Sequence, residues 1–594
     1  MATAPRTRVG DPVVRQRVMS LVVLVVLAIF AARLVMIQGV NAEQLSKAAL
    51  AQRLVTKEVS TPRADIVDRN GVVLATTVDR YNIGVNQKAL AKWTRSEGGA
   101  VTAKGAIDAA TILAPLLGLD EPELAAKLVG DSTWEYIAKD VTPETWALVD
   151  AENISGVQPE AVSDRIYPNG AIAGNVTGFM GGSSEGPGET GLSGLELAFQ
   201  DVLTGTPGSI TFESGGNGTV IPTGVHEETA AVPGQTVVSS LDRDIQWYAQ
   251  QSLAEAVRKT GASRATVVVS DVKTGEIYAL VDSKSVDPND PGATDAKDRG
   301  SRAVSTVFEP GSTAKTITMA AAIEEGLVTP TSHIKAPYEF TTDNNQTFHD
   351  SEEHGVEKLT VAGVLAKSSN TGTVQIGSKL TPEQRYKYLT AFGLGTKTDV
   401  GLPGESNGIL ADYKKWDGRQ KYAVLFGQAL SVTAIQTTQV YQTIANGGVQ
   451  VQPTIVKGYQ DADGNFTPRA SEEPKRVVSE ETAKEVLTML ESVTSDGTGT
   501  KAAIDGYRVA GKTGTAQATC ANGSFTCVVS SFAGIAPADD PRIVVTVILY
   551  DPRTSIYGGE VAAPVFKDVA TFALQELRVP PSQTKATLYP LTWK

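Results

Sequence analysis

The chain of 594 residues predicts an α+β protein in three parts. One N-terminal membrane helix comes first, then a β-rich module, then a larger unit with helices flanking an antiparallel sheet. Three observations carry this. An apolar run, Val18 to Ala32, follows a cluster of arginines. The stretch from Arg165 to Gly224 is rich in glycine and serine, with strand-like pieces. From Gln235 onward, strand patterns at both ends enclose helical ones, the signature of segregated α+β architecture. Length alone favours three or four folding units. With 41% hydrophobic and 20% charged residues, the composition is globular. A formal charge of -13 leaves no broad basic face, so we expect no nucleic-acid partner. The two cysteines, Cys520 and Cys527, are too few for a disulfide scaffold or a four-thiolate zinc site. The four histidines are scattered, and we expect neither metal nor cofactor.

Residues 1–17 hold Arg6, Arg8, Arg15 and Arg17 and read as a cytoplasmic tail. Residues 18–38 read as the transmembrane helix, with Arg33 near its end able to snorkel to the headgroups. Arginines before the span and none just after Arg33 place the N-terminus inside and the bulk of the chain outside. The competing reading is a cleaved signal peptide ending at Val40-Asn41-Ala42. That site lies far from the apolar run, and the uncleaved anchor is preferred. Residues 39–234 form the β-rich module. Thr56 to Val85 reads as strands, with Asn70-Gly71 as a hairpin turn. Ala103 to Leu117 has helical spacing, and a second helix starts at Asp120 with Pro122 in its first turn.

Residues 235–579 form the larger unit. Strands are expected at Thr236 to Leu241, Ala265 to Ser270, Ile277 to Val281, Tyr507 to Ala510, Ser530 to Ile535 and Ile543 to Tyr550. Helices are expected at Asp244 to Val257, from Ser312, at Ser479 to Thr494 and at Ala562 to Leu577. Residues 580–594 read as a C-terminal tail.

Three motifs carry the chemistry, in chain order. Glu309-Pro-Gly-Ser312-Thr-Ala-Lys315 puts a serine at a helix start, where free amides and the dipole favour developing negative charge. Lys315 lies on the same helix face and acts as a base only if burial and a nearby cation lower its pKa. Ser368-Ser369-Asn370 follows a helix-like run. Its first hydroxyl can relay a proton, and its amide can hold a carbonyl or the lysine. Lys512-Thr513-Gly514-Thr515 sits on a strand, where Lys512 and the two threonine hydroxyls suit a carboxylate. Glycine at 514 would let a substrate backbone approach. The backbone N–H groups of Ser312 and Thr515 would make an oxyanion hole. Singly, each motif has a bland reading: a serine N-cap with a surface lysine, a polar helix end, a turn with a solvated lysine. All three in this order specify a serine nucleophile that attacks a peptide or lactam carbonyl.

With these motifs the chain resembles the class B penicillin-binding proteins, most nearly the division-type (FtsI-like) transpeptidases of Gram-positive, actinobacterial-like bacteria. Further segments carry the resemblance. They are Arg63-Ala-Asp-Ile-Val-Asp-Arg-Asn-Gly71, with Ala64 where glycine is usual, then Arg165-Ile-Tyr-Pro168 and Gly191-Leu-Ser-Gly-Leu-Glu196. Phe426 to Gln436 and Tyr557 to Phe566 match as well, with Ala429 and Ala434 replacing the usual Gly and Pro. The resemblance implies a serine β-lactamase/D,D-peptidase-like domain on a dimerisation-type pedestal. It implies Ser312 as acylated nucleophile, Lys315 as base and Ser368 as proton relay. Asn370 would hold the substrate backbone, while Lys512, Thr513, Gly514 and Thr515 would form the carboxylate-binding strand. Implied substrates are peptidoglycan stem peptides ending in D-Ala-D-Ala, with β-lactams as mimics and no cofactor. Nothing here resembles a glycosyltransferase domain, so implied partners are a SEDS-family membrane glycan polymerase and other division proteins, and the implied role is wall synthesis at the septum.

Cys520 and Cys527 flank an Asn-Gly hairpin turn, and outside the membrane a disulfide is their expected state; two free thiols are the alternative. Within the enzyme class, an elongation-type transpeptidase and a D,D-carboxypeptidase remain alternatives. From another class come a vestigial division scaffold and a β-lactam sensor. A scaffold should have lost a motif residue, and a sensor should carry a cytoplasmic signalling domain.

Overall fold

The computed structural model describes residues 11–59, 61–182, 189–215, 219–518 and 526–594. The chain divides into two units, Met1–Thr61 with Gly205–Pro233, and Pro62–Thr204 with Gly234–Lys594. The expected division at 234/235 is therefore only partly a division of contacts: a piece of the β-rich module groups with the anchor, and the rest groups with the larger unit.

In the first unit, Asp11 caps the helix Pro12–Val35 by accepting from the Val13 N–H at 3.0 Å, and Pro12 supplies a preset first turn. The helix continues through a wide turn, Met36–Val40, and Pro12–Val40 is long and apolar enough to cross a membrane. None of its side chains is buried by protein, as a lipid-facing helix requires. Further along, Leu54–Val59, Gly208–Glu213 and His226–Thr229 pair antiparallel into a three-stranded sheet.

In the second unit, the Asn70-Gly71 turn joins Ile66–Val67 to Val73–Val85, with Gly71 at φ +84°. These strands belong to a seven-stranded sheet that also recruits Thr236–Ser239 and Val456–Gln460. Beside it, three of the resembling segments meet at one carboxylate. Glu196 is fully buried; its Oε2 pairs with Arg63 Nε at 2.6 Å and its Oε1 with Arg165 Nε at 2.8 Å. The Tyr167 hydroxyl donates to Oε1 at 3.3 Å. Burial lowers the Arg63 pKa against the pull of Glu196. Replacing Glu196 by alanine leaves two guanidinium groups buried without their counter-ion. The expected cost is about 3–5 kcal/mol, read by chemical denaturation.

A five-stranded antiparallel sheet forms the centre of the larger half. Its strands are β1 (Arg264–Asp271), β2 (Ile277–Asp282), β3 (Ala510–Ala518), β4 (Cys527–Ala536) and β5 (Ile543–Tyr550), in the order β2-β1-β5-β4-β3. β1 and β5 are Val- and Ile-rich and buried on both faces, so they read as apolar runs without alternation. Helices Arg243–Thr260 and Ala563–Glu576 cover one face through a cluster that includes Leu253, Phe532, Phe566 and Leu574. The other face packs on α1 (Lys315–Glu324), α2 (Val361–Lys367), α3 (Asn370–Gly377), α4 (Ala434–Ala445) and α5 (Glu480–Ser495), which share the largest core.

Two expectations need correction. The strand expected at Tyr507 to Ala510 begins only at Ala510 and runs to Ala518. Tyr507 and Arg508 are instead engaged sideways, Tyr507 Oη with the Val579 carbonyl at 2.7 Å and Arg508 with Glu491. The supposed tail, 580–594, docks on the domain. Thr592 bridges to Leu359, the Leu591 carbonyl accepts from Thr360 N at 3.0 Å, and Trp593 stacks on His333 with centroids 4.5 Å apart. Its apolar residues Tyr589 and Leu591 pack on the main core.

Candidate active site

Ser312 sits in a 3-10 turn, Gly311–Ala314, that runs directly into α1. The turn approaches β3 closely: a side chain on Gly311, at φ +54°, would stand 3.0 Å from the Thr515 carbonyl oxygen. It is tied from behind as well, since the Gly311 N–H donates to the Gly427 carbonyl at 2.9 Å and the Tyr441 hydroxyl donates to that of Thr313 at 2.9 Å.

Lys315 is fully buried at the start of α1. Its Nζ donates to the Ser368 carbonyl at 2.5 Å and to Asn370 Oδ1 at 2.7 Å, and lies 3.3 Å from Ser368 Oγ. Burial brings its pKa down to about 7, with the charge of Asp350 opposing. Ser368 caps α2 in the left-handed region, φ 61°, a conformation that costs a non-glycine residue about 1–2 kcal/mol. That backbone turns its carbonyl and hydroxyl toward Lys315. Asn370 opens α3, and its Nδ2 donates to the His349 carbonyl at 3.1 Å.

Lys512 reaches the same point from β3. It is fully buried, with Nζ 2.9 Å from Ser368 Oγ and 3.2 Å from Thr513 Oγ1. Burial, and then Lys315, push its pKa well below the ordinary lysine value. Two ammonium groups cannot both stay charged around one hydroxyl without solvent, so the pair favours a state with a free amine. Thr513 and Thr515 lie on one face of the edge strand β3, where an extended peptide can add. Gly514 has a packing reason beside the one its motif suggests. A Cβ there would stand 2.3 Å from Ser531 Oγ and 3.0 Å from the Pro310 carbonyl, so the glycine lets β3 pack on the Ser312 turn.

The structure thus gathers Lys315, Ser368, Asn370, Lys512 and Thr513 into one hydrogen-bonded cluster, with Ser312 and Thr515 on the two elements that meet beside it. Two residues beyond the motifs join it. Thr498 Oγ1 lies 2.7 Å from Thr513 Oγ1, and Asp350 binds the start of α3. The Gly497-Thr-Gly499 sequence between helix and strand was the available signal for Thr498; Asp350 has no local one. Cys527 is disulfide-bonded, and Cys520 lies outside the described residues. Among the described residues, one acidic trio, Asp242, Asp244 and Glu576, comes within 4.8 Å. It is elsewhere, and Asp242 already accepts from the first amides of its helix.

An edge strand bearing Lys-Thr-Gly, faced by a helix that starts Ser-x-x-Lys, defines the class of active-site-serine acyltransferases with a D,D-peptidase-like fold. The penicillin binding protein transpeptidase domain matches residues 265–571, and the penicillin-binding protein dimerisation domain matches 58–239. The chain is 37% identical to penicillin-binding protein PbpB of Mycolicibacterium smegmatis, over 98% of this chain and 94% of that one. It is 30% identical to peptidoglycan D,D-transpeptidase FtsI of Escherichia coli K12, over 94% and 91%. The crystal structure of penicillin binding protein 3 from Mycobacterium tuberculosis in complex with ampicillin superposes with a TM-score of 0.69 at 33% identity, covering 91% of this chain and all of that one. The chain belongs to the penicillin-binding protein transpeptidase family.

Proposed function

We propose that this protein is a serine D,D-transpeptidase that cross-links peptidoglycan stem peptides in septal wall synthesis. The carrying observation is the buried Lys315 amine, held by Ser368 and Asn370 at the start of the helix that presents Ser312. In this reading Lys315 takes the Ser312 hydroxyl proton as Oγ attacks the penultimate D-Ala carbonyl. The N–H groups of Ser312 and Thr515 hold the oxyanion. The bond to the terminal D-Ala breaks, and its leaving amine receives a proton through Ser368, which Lys512 polarises. The amine of a second stem peptide then attacks the ester, and Ser312 regains its proton. Thr513 and Thr515 hold the donor's carboxylate and Asn370 its backbone. β-Lactams would acylate Ser312 as mimics of the donor.

The N-terminal helix anchors the chain in the membrane. The N-terminus lies inside and the transpeptidase domain outside, and a SEDS-family polymerase supplies the glycan strand. The domain division at 39–234 and 235–579 belongs to the same reading, as does a Cys520–Cys527 disulfide. Mass spectrometry of non-reduced peptides should find these two cysteines joined. Native protein with both thiols alkylatable would contradict the pairing. Closing so short a loop stabilises by about 2–3 kcal/mol.

The base role has a pH signature. Below about 7, Lys315 holds its proton and cannot accept another, so penicillin acylation should rise as pH rises through that value. The same group makes folding more favourable as pH rises from about 7 to 10.5, because only the unfolded chain binds the proton there. Fluorescent-penicillin labelling combined with imaging of septum against side wall tests the whole reading. Labelled protein spread along the side wall would favour an elongation role.

A further inference from the structure

Asp350 follows the strand Thr347–His349 and is 6% exposed. Its Oδ1 accepts from the backbone N–H of Asn370 at 2.5 Å and of Thr371 at 3.0 Å. Its Oδ2 accepts from the Ser369 hydroxyl at 2.8 Å and faces His354 Nε2 at 3.1 Å. The carboxylate therefore holds the first turn of α3 on one side and an imidazole on the other. The second ring nitrogen of His354, Nδ1, lies 2.6 Å from the Gly355 carbonyl. Both nitrogens thus meet oxygen acceptors, an arrangement only the doubly protonated ring satisfies. Burial alone would lower the His354 pKa. The Gly355 and Asp350 hydrogen bonds, with the charges of Asp350 and Glu357, outweigh it and raise it. The Tyr338 ring lies near both His349 and His354, with ring centroids 5.7 and 6.1 Å away.

The consequence passes to Lys315 by two routes. Through geometry, the same Asn370 whose N–H is held by Asp350 accepts from Lys315 Nζ. Through charge, Asp350 counters the desolvation of Lys315, while Lys512 faces Lys315 from the strand side. We propose that Asp350 and His354 form a charged positioning pair that fixes the first turn of the Ser368–Asn370 segment and tunes the electrostatic surroundings of Lys315. The pair acts through other residues and touches no reacting atom. The proposal rests on the reading of Ser312 as nucleophile and Lys315 as base.

Opposite charge changes give the test a signature that mere structural support lacks. The second-order rate of fluorescent-penicillin acylation is measured against pH for the full chain in detergent, with thermal melting as a check on folding. Asp350→Asn removes the negative charge and should move the rising limb to lower pH, by about half a unit or more. His354→Gln keeps a donor but removes the positive charge, so the limb should move to higher pH. His354 is partly exposed on the surface, so its variant remains informative where Asp350→Asn fails to fold. Asp350→Asn should also lower the plateau rate about tenfold, through the looser placement of Asn370. A wild-type limb near neutrality that neither variant moves would overturn the pair while leaving the base assignment standing. A wild-type profile with no such limb would overturn both.

Discussion

Replacing Ser312 with alanine is expected to abolish covalent labelling by a fluorescent penicillin while leaving thermal melting unchanged. The side chain is half-exposed in a 3-10 turn held by backbone bonds from Gly311 and by Tyr441, none of which involves its hydroxyl. Removing one oxygen at such a position costs little stability. The chemistry has no substitute for it. Ser368, the hydroxyl that both lysines reach, is held between their two side chains at the end of α2 and is assigned to proton transfer rather than attack. Labelling that persists in a normally folded variant would reject Ser312 as nucleophile.

Replacing Lys315 with arginine should cost about a hundredfold or more in acylation rate. Arginine keeps the charge and loses the capacity to be neutral, since a guanidinium stays protonated at any working pH. It also needs more room. Nζ of Lys315 is already within 2.5 and 2.7 Å of the Ser368 carbonyl and Asn370 Oδ1, so the longer planar fork has to displace them. To separate charge from volume, Lys315→Met provides an uncharged chain of similar length. If both variants lose the rate equally, the amine itself is required. A loss under about tenfold for arginine would favour electrostatic support over base catalysis.

Much of this site was legible because its chemistry is written in short local motifs. Ser312 and Lys315 share one turn, Ser368 and Asn370 another, and Lys512 to Thr515 one strand, so spacing alone assigns each to an element. The strand Ile543–Tyr550 was legible for a similar reason, as an apolar β-branched run, and the strand expected at Ser530 to Ile535 is the middle and end of Cys527–Ala536. Asp350 was not legible. Its partners, Ser369 to Thr371, lie about twenty residues away, beyond the strand Glu357–Thr360 and α2, and a single aspartate in a polar loop has no distinguishing pattern. The docking of 580–594 was hidden likewise, because its partners Leu359 and Thr360 belong to a distant strand.

Gly514 carries a second constraint that its motif does not state. The motif suggests room for substrate, and contact with Ser531 and Pro310 requires the glycine as well. Ala429 carries a trace of backbone shape. It stands at φ 60° where the family usually has glycine, with its N–H held by Glu309 Oε1 at 2.9 Å. The hydrogen bond compensates part of the cost of left-handed backbone at an alanine.

The pedestal motifs were legible as sequence and opaque as physics. Arg63, Arg165 and Glu196 lie in three separate segments, and nothing in their spacing says that both arginines meet one carboxylate. Only the folded sheet brings them together.

A serine acyl-enzyme at the start of α1 is detectable by peptide mapping. The full-length protein is incubated with penicillin, digested with trypsin and sequenced by tandem mass spectrometry. A single penicilloyl adduct is expected in the peptide Ala303–Lys315, with fragment ions placing it on Ser312 and leaving Ser305 and Thr306 unmodified. An adduct on any other residue, or none in protein that melts normally, would contradict it.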